Sequence, residues 1–306
     1  MRRPGIPRPA CGSLATVPAL WQAGRMGRVT LRRRVTTIDT DAGSSTPRPD
    51  NLSVEEPLEI RINGEPLTVT MRTPGHDIEL VHGFLFSEGL IRSADDISLA
   101  RYCAGSVLLD DTGVPQNTYN VVDVTLSPGV QPPSETARRA FVTSSACGVC
   151  GTASIEQLRG RTQFDVREDA TVVDATTITR LPDALRQQQR AFDRTGGVHA
   201  AGLFTVGGEP LVVREDVGRH NAVDKVVGWA MMNRRLPLRG CVLMVSGRAS
   251  FELVQKSVMA GIPCLAAVSA PSSLAVECAE DAGSTLIGFV RGTRLNVYTG
   301  DHRVRG

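Results

Sequence analysis

The sequence predicts an α/β protein with a smaller α+β unit on its N-terminal side. From residue 136 onward, apolar strand-like runs alternate with helical periodicity, which argues for a largely parallel sheet with helices on both faces. Before that point a hairpin, one amphipathic helix and a further strand form a set of their own. At 306 residues, with 41% hydrophobic and 22% charged residues, the chain can bury a sizeable core. The expected organisation is a basic extension over 1–34, a small α+β domain over 35–135 and an α/β domain over 136–306.

Residues 1–34 hold eight arginines, four prolines and no acid, with no sustained period, and read as a disordered extension. Translation from Met26 would omit most of it. Residues 40–52, rich in Asp, Ser and Pro, read as a linker or loop. Leu58-Glu59-Ile60-Arg61-Ile62 and Leu67-Thr68-Val69-Thr70-Met71 alternate as strands around the hairpin turn Asn63-Gly64. Thr73-Pro74-Gly75-His76 then breaks the chain. Asp77 is placed to N-cap a helix that turns Ile78, Val81, Phe84 and Leu85 inward and ends near Gly89. Residues 120–126 alternate once more as a strand.

In the larger unit, residues 181–192 read as a polar helix. Leu203-Phe204-Thr205-Val206 and Leu211-Val212-Val213 flank Gly207-Gly208, a hairpin signal. Residues 219–232 are helical in pattern. Cys241-Val242-Leu243-Met244-Val245 is a fully apolar strand, as expected in a sheet covered on both faces. Helices over 251–260 and 274–282 alternate with strands over 263–268, 285–290 and 295–298.

Within this frame the most informative run is Ser144-Ser145-Ala146-Cys147-Gly148-Val149-Cys150-Gly151. The strand-like Phe141-Val142-Thr143 precedes it, and a helix with Thr152 as N-cap and Ile155 and Leu158 on one face follows. A cysteine at a helix N-terminus is favoured as thiolate. Several readings compete for the pair. A zinc half-site needs two further ligands at short spacing, and the remaining cysteines, at 11, 103, 241, 264 and 278, stand alone. A thioredoxin-like couple would sit early in a small βαβ domain. A persulfide carrier uses one thiolate to accept a sulfane sulfur and pass it on. Two buried structural thiols are the plainest reading.

Three loops after strands carry further candidates. Arg214-Glu215-Asp216-Val217-Gly218-Arg219-His220-Asn221 lies between a strand and a helix, where α/β folds place ligand groups, though Asp216 can also serve simply as a cap. Ser246-Gly247-Arg248-Ala249-Ser250 offers backbone N–H groups and Arg248 to an anion at a helix N-terminus. Phe289-Val290-Arg291-Gly292-Thr293-Arg294 sets two arginines around a glycine, which is also what a solvent-facing hairpin would have. His199, after Gly196-Gly197-Val198, is a proton-transfer candidate or a satisfied buried histidine. Ala201 stands where a zinc deaminase needs glutamate.

Composition excludes other classes. A net charge of +2 implies no general attraction to nucleic acid, and nothing aromatic or structured accompanies the basic arm. No apolar run reaches the ~18 residues of a membrane span. The run over 14–21, broken by Pro18, is short for a secretory signal. Seven cysteines without framework spacing argue for a reducing compartment. Lys225 and Lys256 are the chain's only lysines, so positive charge is almost all arginine, which favours bidentate contacts to phosphate or carboxylate.

Together these runs make the chain resemble the FdhD/NarQ family of formate dehydrogenase accessory sulfurtransferases. The matching stretches are Met71-Arg72-Thr73-Pro74-Gly75, Gly83-Phe84-Leu85, Cys147-Gly148-Val149-Cys150-Gly151, Thr195-Gly196-Gly197-Val198-His199-Ala200-Ala201, the run from Arg214 to Lys225, Ser246-Gly247-Arg248, and the run from Arg291 to Tyr298. The resemblance implies a cytidine-deaminase-like fold for the larger domain, without zinc chemistry or a permanently bound metal, and a cytoplasmic homodimer. It implies that a cysteine desulfurase passes sulfur to the CxxC. The sulfur then goes to the molybdenum bis(molybdopterin guanine dinucleotide) cofactor, a bound substrate, before its insertion into formate dehydrogenase. Cys147 matches the persulfide-bearing position, with Cys150 as its companion. Phe289, Val290, Arg291, Gly292, Thr293 and Arg294 match the cofactor-binding stretch. Arg219, His220, Ser246 and Arg248 are expected to join it at the phosphates. The other expectation is a cofactor chaperone that transfers no sulfur.

Overall fold

The computed structural model of the chain describes residues 29–103, 107–109, 115–117, 120–134 and 162–306. It opens with an antiparallel ribbon, β1 (Thr30–Asp39) against β2 (Ser44–Ser53), with Thr30 opposite Ser53 and Asp39 opposite Ser44. Residues 30–34, expected in the basic extension, and residues 44–52, expected in a loop, are therefore strand; residues 1–28 lie outside the described residues. Most side chains of the ribbon are exposed and none is fully buried, so neither strand shows the apolar alternation of a half-buried one.

β3 (Glu56–Ile62) and β4 (Glu65–Arg72) form the expected hairpin, and Asn63 and Gly64 take the positive φ values (51° and 83°) that an Asn-Gly turn supplies. β5 (Ile97–Cys103) and β8 (Val121–Leu126) complete a sheet ordered β4-β3-β8-β5, in which β3 and β8 run parallel. β6 (Val107–Leu109) and β7 (Pro115–Asn117) pair separately. α1 (Asp77–Ser87) packs on this sheet. Its cap is His76, left-handed at φ 57°, rather than Asp77. Asp77 is the first helical residue, and its carboxylate accepts the Gly75 N–H and a hydrogen bond from buried Arg72.

The second sheet has six strands: β10 (His199–Thr205), β11 (Pro210–Asp216), β12 (Cys241–Val245), β13 (Cys264–Ala267), β14 (Thr285–Arg291) and β15 (Arg294–Thr299), in the order β11-β10-β12-β13-β14-β15. Only β12, β13 and β14 pair in parallel; β10 and β15 run against their neighbours. The sheet is thus mixed rather than largely parallel, because tight turns at each side return the chain beside itself. β9 (Val173–Asp174) and β16 (Val304–Arg305) pair outside it.

Helices do cover both faces. Leu243 and Val245 belong to one cluster with α4 (Arg219–Met232), α5 (Phe251–Met259) and α6 (Ser273–Ala282), whereas Val242 and Met244 pack with Ile178, Leu181 and Leu185 of α2 (Ala175–Arg186). α3 (Arg190–Thr195) follows α2, so the single helix expected over 181–192 is two. The first begins earlier, because Ile178 already faces the sheet.

α1 and α4 join the two sheets. The first cluster is continuous from Leu58, Ile60 and Ile62 through Leu80, Val81 and Leu85 to Val223, Val226, Val227, Leu203 and Leu243. The helices touch backbone to backbone: a Cβ on Gly83 would overlap the Asp224 carbonyl, and one on Gly228 would overlap the Glu79 carbonyl. Gly83→Ala or Gly228→Ala must push the helices apart, and each is expected to destabilise by about 3 kcal/mol or more. Urea unfolding of the purified variants measures this.

Candidate functional site

The parallel strands β12, β13 and β14 all end at one edge of the large sheet. β10 enters at that edge and β11 leaves there, with His199 opposite Asp216 and Ala201 opposite Val245. α4, α5 and α6 begin there, behind Gly218, Ser250 and Ser272. Three helix N-termini, each positive by virtue of the helix dipole, therefore share an edge with the arginine loops.

Backbone hydrogen bonds lace these loops together. Ala249 N–H donates to the Ala270 carbonyl, Ser272 N–H to the Ala249 carbonyl and Phe289 N–H to the Ser269 carbonyl. Arg291 donates through Nε to the Val268 carbonyl at 3.2 Å and is otherwise exposed. Arg291 and Arg294 face each other across the hairpin at Gly292, and both are exposed, as are Thr293 and Arg248. Like charges opposite each other in a sheet repel, so an anion between them would be stabilising. Phe289 adopts φ 52° at an irregularity in the strand pairing and is 39% exposed. A left-handed non-glycine residue costs about 1 kcal/mol or more, and this one lies two residues before Arg291. Val290 instead turns its side chain into the core on the α2 side.

The run from Arg214 to Asn221 divides into structural and free groups. Arg214 makes a two-pronged pair with Glu79 of α1 at 2.5 and 2.7 Å. Glu215 accepts the Ala191 and Phe192 N–H groups at the start of α3. Asp216 is fully buried against Lys225 at 2.7 Å and accepts N–H groups from Thr73 and Gly218 and from the Asn221 amide. Lys225 also donates to the Thr73 carbonyl at 3.0 Å, which ties the loop after β4 to the site edge. Arg219 and His220 make no contact of this kind within the run, and His220 turns instead to α5. The Arg219 Nε is buried with no partner among the described residues.

His220 Nε2 lies 2.6 Å from Glu252 Oε2 and 3.2 Å from Ser250 Oγ. The hydrogen bond from His220, aided by the charges of His220, Lys256 and Arg219, holds the Glu252 pKa below the ordinary glutamate value. Ser246 Oγ accepts the Ala200 N–H at 2.9 Å, so it anchors β10 as well as facing the edge. Burial, and then the charges of Arg219 and His220, push the His199 pKa below its ordinary 6.5, against the pull of Asp216.

The structure therefore brings His199, Arg219, His220, Ser246, Arg248 and the Phe289–Arg294 stretch to one edge. It adds Glu252, which sequence reasoning did not single out, and Lys225, which ended a matching run but carried no expected role. Cys147 and Cys150, with the preceding strand-like run and the helix expected after them, lie outside the described residues.

Comparison with known proteins bears on this arrangement. The FdhD/NarQ family model matches residues 53–305. The chain belongs to the FdhD/NarQ family. It is 57% identical over 279 residues to the sulfur carrier protein FdhD of Nocardia farcinica, covering 91% of this chain and 96% of that one. It is 56% identical over 277 residues to the sulfur carrier protein FdhD of Mycolicibacterium paratuberculosis, covering 90% and 99%. A crystal structure assigned as a formate dehydrogenase accessory protein from Desulfotalea psychrophila superposes with a TM-score of 0.66 at 23% identity, covering 91% of this chain and 100% of that one. That last likeness is one of fold.

A depressed histidine pKa has a definite sign. Below its ordinary 6.5 the unfolded His199 takes up a proton that the folded one resists, so its contribution to stability is full above 6.5 and is lost as the pH falls further. In this family member, NMR titration of His199 is expected to give a pKa below 6.5, and Arg219→Gln is expected to raise it by removing a nearby positive charge.

Proposed function

We propose that this chain carries sulfur for the maturation of formate dehydrogenase. The Cys147 thiolate attacks the terminal sulfur of a cysteine desulfurase persulfide. A new S–S bond forms on Cys147, and the desulfurase cysteine leaves as thiolate. The sulfur then passes to the molybdenum bis(molybdopterin guanine dinucleotide) cofactor, held as substrate before its insertion into the dehydrogenase. Cys150 is placed in sequence to bond the Cys147 sulfur as sulfide departs, leaving a disulfide that a dithiol reductant reopens.

The observation that carries this reading is the convergence of Arg219, Arg248, Arg291 and three helix N-termini on one edge. A large polyanion with two guanine-dinucleotide arms needs such an edge. The names of the relatives, sulfur carrier proteins, support the sulfur step. The sheet order, with β10 running against β12 to β14, supports a cytidine-deaminase-like core for the larger unit. A homodimer and a cytoplasmic setting belong to the same proposal; Cys241, Cys264 and Cys278 are buried free thiols.

Intact mass after incubation with a cysteine desulfurase and cysteine tests the acceptor. Wild type is expected to gain about 32 Da per persulfide, removable by reductant, and Cys147→Ala to gain none. No gain by wild type, with the desulfurase shown to be active, would leave a chaperone that only shelters the cofactor. The edge is tested separately with GDP by calorimetry. Arg291→Ala and Arg294→Ala are each expected to weaken binding about tenfold, the scale of a hydrogen bond to a charged group. Unchanged binding would remove these arginines from the site.

A further inference from the structure

The two outer edges of the β1–β2 ribbon are not equivalent. The Val54 N–H donates to the Val29 carbonyl at 3.0 Å, so 29 and 54 form a hydrogen-bonded pair. In an antiparallel ladder every second pair does the same, and the pairs between turn N–H and C=O outward. Those pairs are Thr30/Ser53, Arg32/Asn51, Arg34/Pro49, Thr36/Pro47 and Ile38/Ser45. The β2 edge therefore carries Pro47 and Pro49, which lack an N–H, where a further strand would need donors. The β1 edge carries no proline, and among the described residues no strand pairs with it.

The same alternation places the Arg32, Arg34, Thr36 and Ile38 side chains on one face of the ribbon. Arg32 and Arg34 are exposed and have no acidic partner among the described residues, and Ile38 is 71% exposed. Arg33 lies on the other face, opposite Asp50. A two-stranded ribbon is marginal in water by itself.

We propose that the β1 edge accepts an extended acidic segment of a partner protein as a third strand. Backbone hydrogen bonds to the outward groups of Arg32, Arg34 and Thr36 supply register. Carboxylates two residues apart meet Arg32 and Arg34, and an apolar residue covers Ile38. A second copy of β1 is disfavoured, because in full antiparallel register Arg34 would oppose Arg34. A nucleic acid is disfavoured because neither strand carries an aromatic side chain on which a base could stack.

The test uses the full chain and a fluorescein-labelled extended peptide that presents at every second residue, on one face, two glutamates for Arg32 and Arg34 followed by two valines for Thr36 and Ile38, and binding is followed by fluorescence anisotropy. Saturable binding is expected. Thr36→Pro, which removes an N–H that the ribbon does not use, is expected to weaken it at least tenfold. The double variant Arg32→Glu and Arg34→Glu should do likewise. A peptide N-methylated at alternate residues should fail against the unchanged protein, so the conclusion does not hang on the folding of a variant. No saturable binding by wild type would overturn the proposal. So would binding that survives both Thr36→Pro and N-methylation, since it would be loose charge attraction. Tighter binding of a single-stranded oligonucleotide than of the peptide would overturn it in favour of a nucleic-acid arm. A concentration-dependent dimer abolished by Thr36→Pro would overturn it in favour of a second copy. None of these outcomes involves Cys147, so the sulfur-transfer reading stands or falls separately.

Discussion

Helices α1 and α4 approach until their backbones touch at Gly83 and Gly228, and this contact determines where much of the molecule lies. Any side chain at either position would hold the helices apart. The shared cluster would then open between the four-stranded sheet and the six-stranded one. The same helix α4 carries Arg219 and His220 at its start. The packing that joins the two sheets therefore also fixes the depth at which these residues meet the strand-end edge of the large sheet.

Two buried ion pairs reinforce that arrangement from within α4. Lys225 pairs with Asp216 at 2.7 Å and holds the Thr73 carbonyl. Lys256 of α5 pairs with Asp224, which also accepts the Ser87 hydroxyl of α1. Burial opposes the charge on Lys256, but Asp224 and Glu88 outweigh it and keep its pKa above the ordinary lysine value. Such pairs contribute little net stability relative to apolar replacements of similar shape. Their directional hydrogen bonds select one alignment of α1, α4 and α5 from the several that an apolar interface would tolerate.

Much of the fold was legible where burial imposes a period. The hairpin at Asn63-Gly64, the helix over 219–232 and the strand over 241–245 occur as the residue patterns require. The ribbon was not legible, because exposed strands need no apolar alternation. The mixed sheet was misread because alternation of strands and helices does not report strand direction where a hairpin intervenes. In the site, arginine and histidine residues in loops after strands were legible as a set. Their division was not: Arg214 and Glu215 look available in sequence, yet their partners, Glu79 and the α3 backbone, lie far along the chain. Glu252 was missed for the same reason, since its contact with His220 depends on α4 and α5 starting side by side.

The two lysines are the only ones in the chain, and both are buried, at 1% and 6% exposure. The folded surface therefore offers no side-chain amine. Acylating reagents, ester-activated dyes and enzymes that acetylate or ubiquitinate lysine find no such target on the native protein. When the chain opens, both amines emerge together with the core they stabilise. Amine reactivity at Lys225 and Lys256 is thus an intrinsic gauge of unfolding, built into a surface whose positive charge is entirely guanidinium and imidazole apart from the chain terminus.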